Sequence, residues 1–519
     1  MYHYKNGAKQ NMKLGLLSNH EKIILYFSTL ILSIVPAFFY TAPAFEDGLG
    51  TMATAAYLAG HDWSAFLGED GYYYKYGQSL WYIVPFMFIH NAVIRYKLML
   101  IINSALTAFI PVIAYHIAVK YKLTDTKNAF VISLLTGLIP SIQLYNKYTW
   151  AEGNLFIIPW LILFLQTKLY MEGDRISNSE KIRHSAGIAL FAVYAFMSHQ
   201  RGIIVLLVTT MMVLWIWYCK KGSITLWIYM LVLIIGLVFD RLISGWQKAN
   251  VYAGAVLRHN TLADFLMPEI YQKMFSAKGV EALFLPFVGW LYNCACSTFG
   301  IALVGLCFMS ARCWKWIRKK GSRSALDVIA GEGILCFLGA FALGLLFFFQ
   351  SSYGYFEGTS IERCDHLFFG RYLESSIPIL FYFGLIGLCN VQDTRRVMNL
   401  TFMLQSGMFI FTTLRLLPRM NNVNCYVHSL MSMNLFMDTT NITKTLDIVS
   451  NYVPALFLFG VVSIIISLLF RLLYNKNRRA VYTIIGCLFL WIYIWNSITV
   501  TGRIDSACAT KYAQYYLSH

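Results

Sequence analysis

Acidic residues that could act as a general base lie next to apolar segments at two places in the chain. Glu46 and Asp47 follow the first long apolar run, and Glu152 precedes another in "YNKYTWAEGNLF". A carboxylate shielded from bulk water can accept a proton from a hydroxyl group. The alternatives are structural: Asp47 could cap a helix over 48–59 that Gly60 ends. The negative charge of Glu152 could simply stabilise the first turn of its helix.

Cationic and aromatic residues occur in similar positions. Arg201 lies in a polar turn with His199, and Arg371 and Tyr372 directly precede a late apolar run. The planar fork of an arginine matches phosphate oxygens, although arginines near helix ends also extend to lipid headgroups without a catalytic role. The stretch "YYYKYG" is typical of a membrane interface and could also bind a sugar. We take as substrate-binding candidates Tyr74, Lys75, Tyr76, His199, Arg201, Arg371 and Tyr372.

A divalent metal is a further option, because carboxylate and histidine side chains occur in the same loops. The candidate ligands are Glu69, Asp70, His259 and His366. Their spacing matches no common metal-binding motif. The sequence therefore indicates no definite cofactor.

Composition identifies the class of protein. The chain has 519 residues, of which 58% are hydrophobic and 13% charged. Apolar runs of about 17–24 residues recur throughout, the length needed to cross a bilayer as a helix. We predict an all-α, polytopic membrane protein with a single integral membrane domain over 1–519. Although the net charge is +17, the basic residues form short clusters between apolar runs, which favours anionic lipid over nucleic acid as their partner.

The apolar runs predict about thirteen transmembrane helices. They start near Ile23, Met99, Ala129, Leu155, Ser185, Gly202, Ile224, Leu283, Val328, Ser375, Thr401, Tyr452 and Ala480. The segment "QSLWYIVPFMFIH" is assigned to the membrane interface, because counting it as a span would move most basic loops to the outer side. The first outer loop then covers 41–97 and carries interfacial helices. Larger outer loops are expected at 243–282, 350–373 and 417–451, with the N-terminus cytoplasmic and the C-terminus outside.

The eleven cysteines show close spacing only at Cys294 and Cys296, and many lie inside apolar runs. We therefore expect buried small hydrophobic residues rather than disulfides or metal ligands.

One carboxylate base, cations for a phosphate, and a cavity open to both lipid and water suit a particular reaction. A sugar could move from a polyprenyl-phosphate carrier to a hydroxyl acceptor. The base would deprotonate the acceptor while arginine or a metal stabilises the departing phosphate. Such a displacement inverts the anomeric carbon. Unlike glycoside hydrolysis, it requires no paired acid.

Several motifs together resemble those of the GT-C-fold membrane glycosyltransferases, which include protein O-mannosyltransferases and lipid A aminoarabinose transferases. The similar stretches are Glu46-Asp47, "GHDW" from Gly60, "YKYGQSLWYIVPF", "WAEGNLF" and "FFGRYLESSIP". The resemblance implies a catalytic acid in the first outer loop and a lipid-linked sugar donor. The family pair is Asp-Glu whereas this chain has Glu-Asp, so Glu46 and Asp47 both stay candidates for the base.

The resemblance implies an inverting glycosyltransferase in a plasma membrane, with its active site outside, and a bacterial source is favoured. Its partners would be a polyprenyl-phosphate-sugar donor, membrane lipids, and a glycan, lipid or protein acceptor. Two alternatives remain. An O-antigen-type polymerase or ligase would use a late loop with Arg363, His366 and Arg371. A transporter of lipid-linked saccharides would need ionisable groups deep in the membrane. Asp240 and Glu332 come nearest, but we expect both to lie close to helix ends.

Overall fold

The computed structural model describes residues 19–255, 268–318, 324–358, 363–391, 394–420, 425–438, 449–501 and 510–519. Helices are the regular structure throughout these ranges, and the described residues form no β-strand. The all-α prediction is therefore confirmed.

The helices differ widely in length, and the longest one has 33 residues. In chain order the main ones are Asn19–Phe38, Glu46–Leu58, Ser64–Asp70, Ile83–Phe88, Ala92–Thr107, Phe109–Lys120, Thr126–Gly137, Pro140–Tyr145, Glu152–Glu172, Asn178–Ser198, Gly202–Cys219, Leu226–Asn250, Pro268–Met274, Ala277–Ser297, Ile301–Ile317, Ala325–Glu357, Ile377–Asn390, Thr394–Phe411, Tyr452–Leu473, Arg478–Trp495 and Lys511–Ser518. Short 3-10 turns occur at Gln78–Tyr82, Cys364–Phe368, Gly370–Tyr372 and Val427–Met433.

Ten helices in the described part of the chain are long and apolar enough to cross a membrane. The chain is thus a multi-pass membrane protein, but the count of about thirteen is not reproduced. Two predicted helices are short, with 12 residues in Thr126–Gly137 and 14 in Ile377–Asn390. A third predicted helix, Asn178–Ser198, has 21 residues but is not among the ten.

The segment after Gly77 is too short to cross a membrane as one helix. It forms a 3-10 turn of 5 residues and a helix of 6, Ile83–Phe88. This is far shorter than the roughly 20 residues that a transmembrane helix needs. Its outer face is apolar, since Val84 and Phe88 are 61% and 69% exposed. These features agree with the predicted interfacial location.

Two of the predicted outer loops are partly helical. The helix Leu226–Asn250 extends past the expected start of the loop at 243, and Ala325–Glu357 extends past the expected start at 350. Asp240 consequently lies inside its helix, not at the end as expected, and Glu332 is the eighth residue of the helix that begins at Ala325. Asp240 forms an ion pair with Lys75, and Glu332 is buried beside Thr209.

Contacts between loops define two opposite ends of the bundle. At one end, Lys120 pairs with Glu172, and the Asn390 side chain donates to the backbone oxygen of Leu123. Basic residues gather here, including Lys120, Lys220, Arg312 and Arg478.

The other end is formed by the first loop and the C-terminal helix Lys511–Ser518. Arg95 Nε donates to the Tyr516 hydroxyl at 3.2 Å, and Phe66 stacks on Tyr515 with ring centroids 4.1 Å apart. Arg95 lies at the start of the Ala92–Lys120 segment and Lys120 at its end. The C-terminus therefore lies at the end opposite the basic loops.

Candidate active site

Four segments distant in sequence meet at the first-loop end. They are the helix Glu46–Leu58, the start of the helix Glu152–Glu172, the turn before Gly202, and the 3-10 turn Gly370–Tyr372. Thr149 fixes the first two together, because its backbone oxygen accepts from Thr51 and its hydroxyl donates to the backbone oxygen of Gly48. Polar side chains from all four segments converge in one cluster.

Arg371 is the centre of this cluster. Its Nη1 lies 2.6 Å from Asp47 Oδ2, and its Nε lies 2.6 Å from Glu152 Oε1. The guanidinium also lies over the ring of Trp150, with Cζ 4.1 Å from the centroid. One arginine thus joins the acids that the sequence offered separately as candidates.

Arg201 completes the pairing. Its Nη2 contacts Glu152 Oε1 at 2.5 Å, and its Nη1 donates to the backbone oxygen of Arg371 at 3.0 Å. Its guanidinium packs over the ring of Tyr372 at 4.7 Å. Two acids and two arginines therefore balance in formal charge. Glu152 Oε2 and Arg201 Nε are buried and form no hydrogen bond with any described residue.

The two acids of the cluster differ in accessibility. The Asp47 side chain is 27% exposed, whereas that of Glu152 is 3% exposed. Asp47 also accepts a hydrogen bond from the Tyr74 hydroxyl at 2.7 Å. Of the two, Asp47 is therefore the acid that an incoming substrate can reach.

The structure contradicts the expectation that Asp47 caps a helix. The helix begins at Glu46, its N-cap residue is Phe45, and no side chain caps it. Gly60 does follow the helix end with a φ of 92°, as predicted. Glu152 occupies the first turn of its helix, as the structural alternative predicted. It also contacts Arg201 and Arg371.

Electrostatics keep Asp47 charged. Burial raises the pKa of Asp47, but the charge of Arg371 and the Tyr74 hydrogen bond outweigh it, so its pKa lies below the ordinary value. Burial and Arg201 together lower the pKa of His199 to about 3. His199 is therefore neutral at pH 7, and its Nδ1 accepts from the backbone N–H of Arg201 at 3.0 Å.

Glu46 also lies in the first turn of the helix, next to Asp47. Its negative charge contributes to raising the pKa of the Tyr74 hydroxyl, after burial and Asp47. Consecutive helical residues point about 100° apart. The Arg371 contact is made by Asp47, which distinguishes the two acids that the sequence left equivalent.

Lys75 is separate from the arginine cluster. Its Nζ lies 2.8 Å from Asp240 Oδ2 and 3.4 Å from the ring centroid of Phe196, and it is buried. Tyr76 is also buried, and its hydroxyl makes no hydrogen bond with a described residue. Of the three candidates in "YYYKYG", Tyr74 is the one with a described contact to an acid of the arginine cluster, Asp47.

The two candidate metal ligands whose side chains the structure describes, Glu69 and His366, lie in different environments. Glu69 is exposed on the helix Ser64–Asp70, whereas His366 is buried against Phe348. Nothing is described of the Asp70 side chain, and His259 lies outside the described residues. Within the described ranges no three His, Cys, Asp or Glu side chains are grouped to hold a metal ion.

Sequence reasoning missed Trp150, which stacks on Arg371, and it missed the pairing of Asp240 with Lys75 beside the site. Trp150 lay within the quoted stretch "WAEGNLF", and an aromatic residue two positions from a candidate acid was a usable signal. The partner of Lys75 carried no such signal, because 165 residues separate the two.

A narrow cleft extends from the cluster between the helices Glu152–Glu172, Gly202–Cys219 and Ala325–Glu357. Arg201 and Tyr372 line one part of it, and most of its other residues are apolar. These include Leu155, Pro159, Ile204, Val205, Ala340, Leu343 and Ile379. The cationic side chain of Arg201 and apolar side chains of three helices thus line the same narrow cleft.

Comparisons with known proteins give a limited result. No family model matches the chain, and no curated protein matches it significantly. Among solved structures it is similar to ArnT from Cupriavidus metallidurans in the apo state, at 13% identity and a TM-score of 0.49. The same protein bound to undecaprenyl phosphate gives 12% identity and a TM-score of 0.48. Each match covers 93% of this chain and 77% of the other. A likeness at this level does not by itself establish a reaction.

Proposed function

We propose that this protein is an inverting GT-C-type glycosyltransferase. It would move a sugar from a polyprenyl-phosphate-linked donor to a hydroxyl acceptor at the outer face of a bacterial plasma membrane. The observation that carries the proposal is the bridge that Arg371 makes between Asp47 and Glu152, at the mouth of an apolar cleft. This cluster supplies a base, phosphate-binding cations and access for a lipid.

Asp47 is the proposed base. Its carboxylate is the more exposed of the two acids on Arg371, and Tyr74 holds one of its oxygens. Asp47 Oδ2 accepts the proton as the acceptor oxygen attacks the anomeric carbon. The bond between that carbon and the phosphate oxygen breaks, and the phosphate leaves with the electron pair. Attack opposite the leaving group inverts the anomeric carbon.

Arg371 and Arg201 are the proposed phosphate ligands. Because the four charges of the cluster balance, a phosphate can bind only if it takes arginine contacts from the acids. Arg371 exchanging Asp47 for the donor phosphate would leave Asp47 with less compensating charge. Its pKa would rise, which makes it a stronger base at the moment the donor is bound. Glu152 keeps both guanidinium groups in place.

The cleft supports a lipid-linked donor. A charged phosphate at Arg201 and an apolar chain along Leu155, Ile204 and Leu343 match its two kinds of lining. The positive-inside rule assigns the basic end of the bundle to the cytoplasm. The site then lies on the outer side. The described residues do not fit a dedicated metal centre, so no step of this reaction is assigned to a metal.

The rival assignments do not use the acidic pair, although the polymerase or ligase would share Arg371. A polymerase or ligase would use the late loop, where Arg363 makes a two-point pair with Asp365 at 3.0 and 2.8 Å. A transporter would depend on buried ionisable groups such as Glu332. Neither alternative explains why Arg371 draws two acids from earlier loops into contact.

The test measures sugar transfer in membranes that carry equal amounts of each variant. Undecaprenyl-phosphate-linked, radiolabelled sugars serve as donors, with and without a chelator. We expect Asp47→Asn to lower the transfer rate by about 100-fold or more, the range expected for loss of a general base. Glu46→Gln should stay within a fewfold of wild type. Glu69→Gln, an exposed acid of the same loop, is the matched control.

A second arm measures binding of radiolabelled undecaprenyl phosphate without any sugar. Asp47→Asn should still bind it, whereas Arg371→Gln should not. Undiminished transfer by the Glu46→Gln, Asp47→Asn double variant would reduce the acidic pair to a structural role. Loss of transfer in Arg363→Gln, with the double variant active, would favour the polymerase or ligase.

A further inference from the structure

Two cysteines from different outer loops lie in contact near the candidate active site. Cys364 Sγ is 3.1 Å from Cys425 Sγ, although 61 residues separate them in sequence. Both side chains are fully buried. A disulfide has a sulfur–sulfur distance of about 2.05 Å, so the two atoms need to approach by only about 1 Å.

The backbone around these cysteines is already held in register. The Tyr426 N–H donates to Asp365 Oδ2 at 3.1 Å, and Arg363 binds both oxygens of Asp365. The Arg363 guanidinium also lies 4.0 Å from the ring centroid of Tyr426. The residues next to each cysteine therefore fix the two segments against one another, independently of the sulfurs.

Two further segments support the same arrangement. The Val449 N–H donates to the backbone oxygen of Cys425 at 2.8 Å. Trp290 Nε1 donates to the backbone oxygen of His366 at 2.9 Å, which holds the turn Cys364–Phe368 against the helix Ala277–Ser297. Closing a sulfur–sulfur bond would thus join segments that are both anchored elsewhere.

We propose that Cys364 and Cys425 form a disulfide in the mature protein. The inference rests on the outer-face orientation of the proposed function, because disulfides persist in oxidising compartments outside the cytoplasm. The two thiols lose two protons and two electrons. A disulfide-donor protein of the cell envelope accepts them by thiol–disulfide exchange and becomes a dithiol.

The position of the bond indicates its role. The turn Cys364–Phe368 leads directly into Gly370–Tyr372, the turn that carries Arg371. Linking it to the segment Val427–Met433 would hold the loop of Arg371 above the cluster. The bond therefore acts as a clamp on the phosphate-binding arginine.

The test counts protected cysteines in full-length protein made in its own membrane. Cells are quenched in acid, denatured, and treated with N-ethylmaleimide to block thiols. The protein is then reduced and labelled with a maleimide-linked polyethylene glycol that shifts its gel mobility. Wild type should show two protected cysteines of the eleven. Cys364→Ser and Cys425→Ser should each show none, whereas the control Cys389→Ser should still show two.

Peptide mapping of wild-type protein without reduction gives the same answer without any variant. We expect a cross-linked peptide pair that contains Cys364 and Cys425 and lacks two hydrogens. Complete blocking of all cysteines in wild type, or protection that persists in Cys364→Ser, would overturn the proposal. If the protein isolated from cells has no disulfide but transfers sugar, the proposed function stands and only the disulfide is excluded. If it has the disulfide but transfers no sugar, the disulfide stands and the proposed function is excluded.

Discussion

Arg371 makes two strong contacts at once, and this determines how the acids of the site behave. Asp47 and Glu152 are both paired through its guanidinium, and Glu152 is further paired with Arg201. Removing one partner from a buried pair leaves an uncompensated charge, which is far more costly than losing a surface pair. If Arg371 binds a ligand, the acid that it leaves therefore needs another partner or a proton.

This exchange leads to a prediction about pH dependence. In the free protein, burial raises the pKa of Asp47, while Arg371 and Tyr74 lower it by more, so the carboxylate stays ionised below its ordinary titration range. A bound donor phosphate takes Arg371 and adds negative charge, both of which raise that pKa. Since kcat/KM reports the free enzyme and kcat reports the complex, the acidic limb of kcat should lie at higher pH.

The Arg371→Gln variant tests the direction of the shift in the pKa of Asp47. Without the guanidinium, burial dominates and the pKa of Asp47 rises in the free protein as well. The acidic limb of its residual kcat/KM should therefore move to higher pH than in wild type. Rate profiles between pH 4 and 8 measure both effects. Coinciding limbs of kcat and kcat/KM in wild type would contradict the exchange of Arg371 between Asp47 and phosphate.

At the scale of elements, close contact between the first-loop helix and the "YYYKYG" segment positions Tyr74. A Cβ added at Gly50 would lie 1.9 Å from Tyr74 Cδ2, so the ring occupies the space that a side chain would need. Gly77 has a similar role, because a Cβ there would lie 2.5 Å from the backbone carbonyl carbon of Met197. These glycines allow the first loop to pack against the helices without intervening side chains.

Gly50→Ala should therefore displace Tyr74 and remove its hydrogen bond to Asp47. We expect transfer to fall by about 10-fold, in line with the loss of a hydrogen bond to a charged group. Transfer rates at equal expression measure the effect. Gly245→Ala is the matched control, because Gly245 is also helical and a Cβ there meets nothing within 4 Å. Equal rates in both variants would mean that Tyr74 does not matter for transfer.

At the scale of the whole molecule, the basic loops and the candidate site lie at opposite ends. The helix Asn19–Phe38 begins near the basic end, where the Tyr115 hydroxyl donates to Glu21. The C-terminal helix instead packs on the first loop through Arg95 and Tyr516. The two termini of the described chain therefore lie at opposite ends of the bundle.

Reporter fusions test which side each terminus faces. The positive-inside rule predicts a cytoplasmic N-terminus, so green fluorescent protein fused there should fluoresce in bacterial cells. Green fluorescent protein fused after His519 would be exported through the membrane and should stay dark. Alkaline phosphatase fused at the same position should be active. Each fusion is first checked for correct membrane insertion. The opposite pattern would place the site in the cytoplasm and remove the basis of both proposals.

Local sequence was sufficient for the features that depend on neighbouring residues. Apolar runs of bilayer length identify an all-α membrane protein, and the run with Pro85 forms only a short helix, as its length predicts. Charge clusters between runs separated the two ends of the bundle. The acids and arginines of the site were also recognisable as candidates, because each stands beside a predicted helix end.

Packing between distant segments decided the rest. Whether Glu46 or Asp47 meets Arg371 depends on the rotation of one helix against a turn more than three hundred residues later, and no local pattern encodes it. The contact of Cys364 with Cys425 and the pairing of Lys75 with Asp240 are equally invisible in spacing. Periodicity records which residues share a helix face. Only the tertiary structure brings faces together, because rotation and register are set by contacts between residues far apart in the chain.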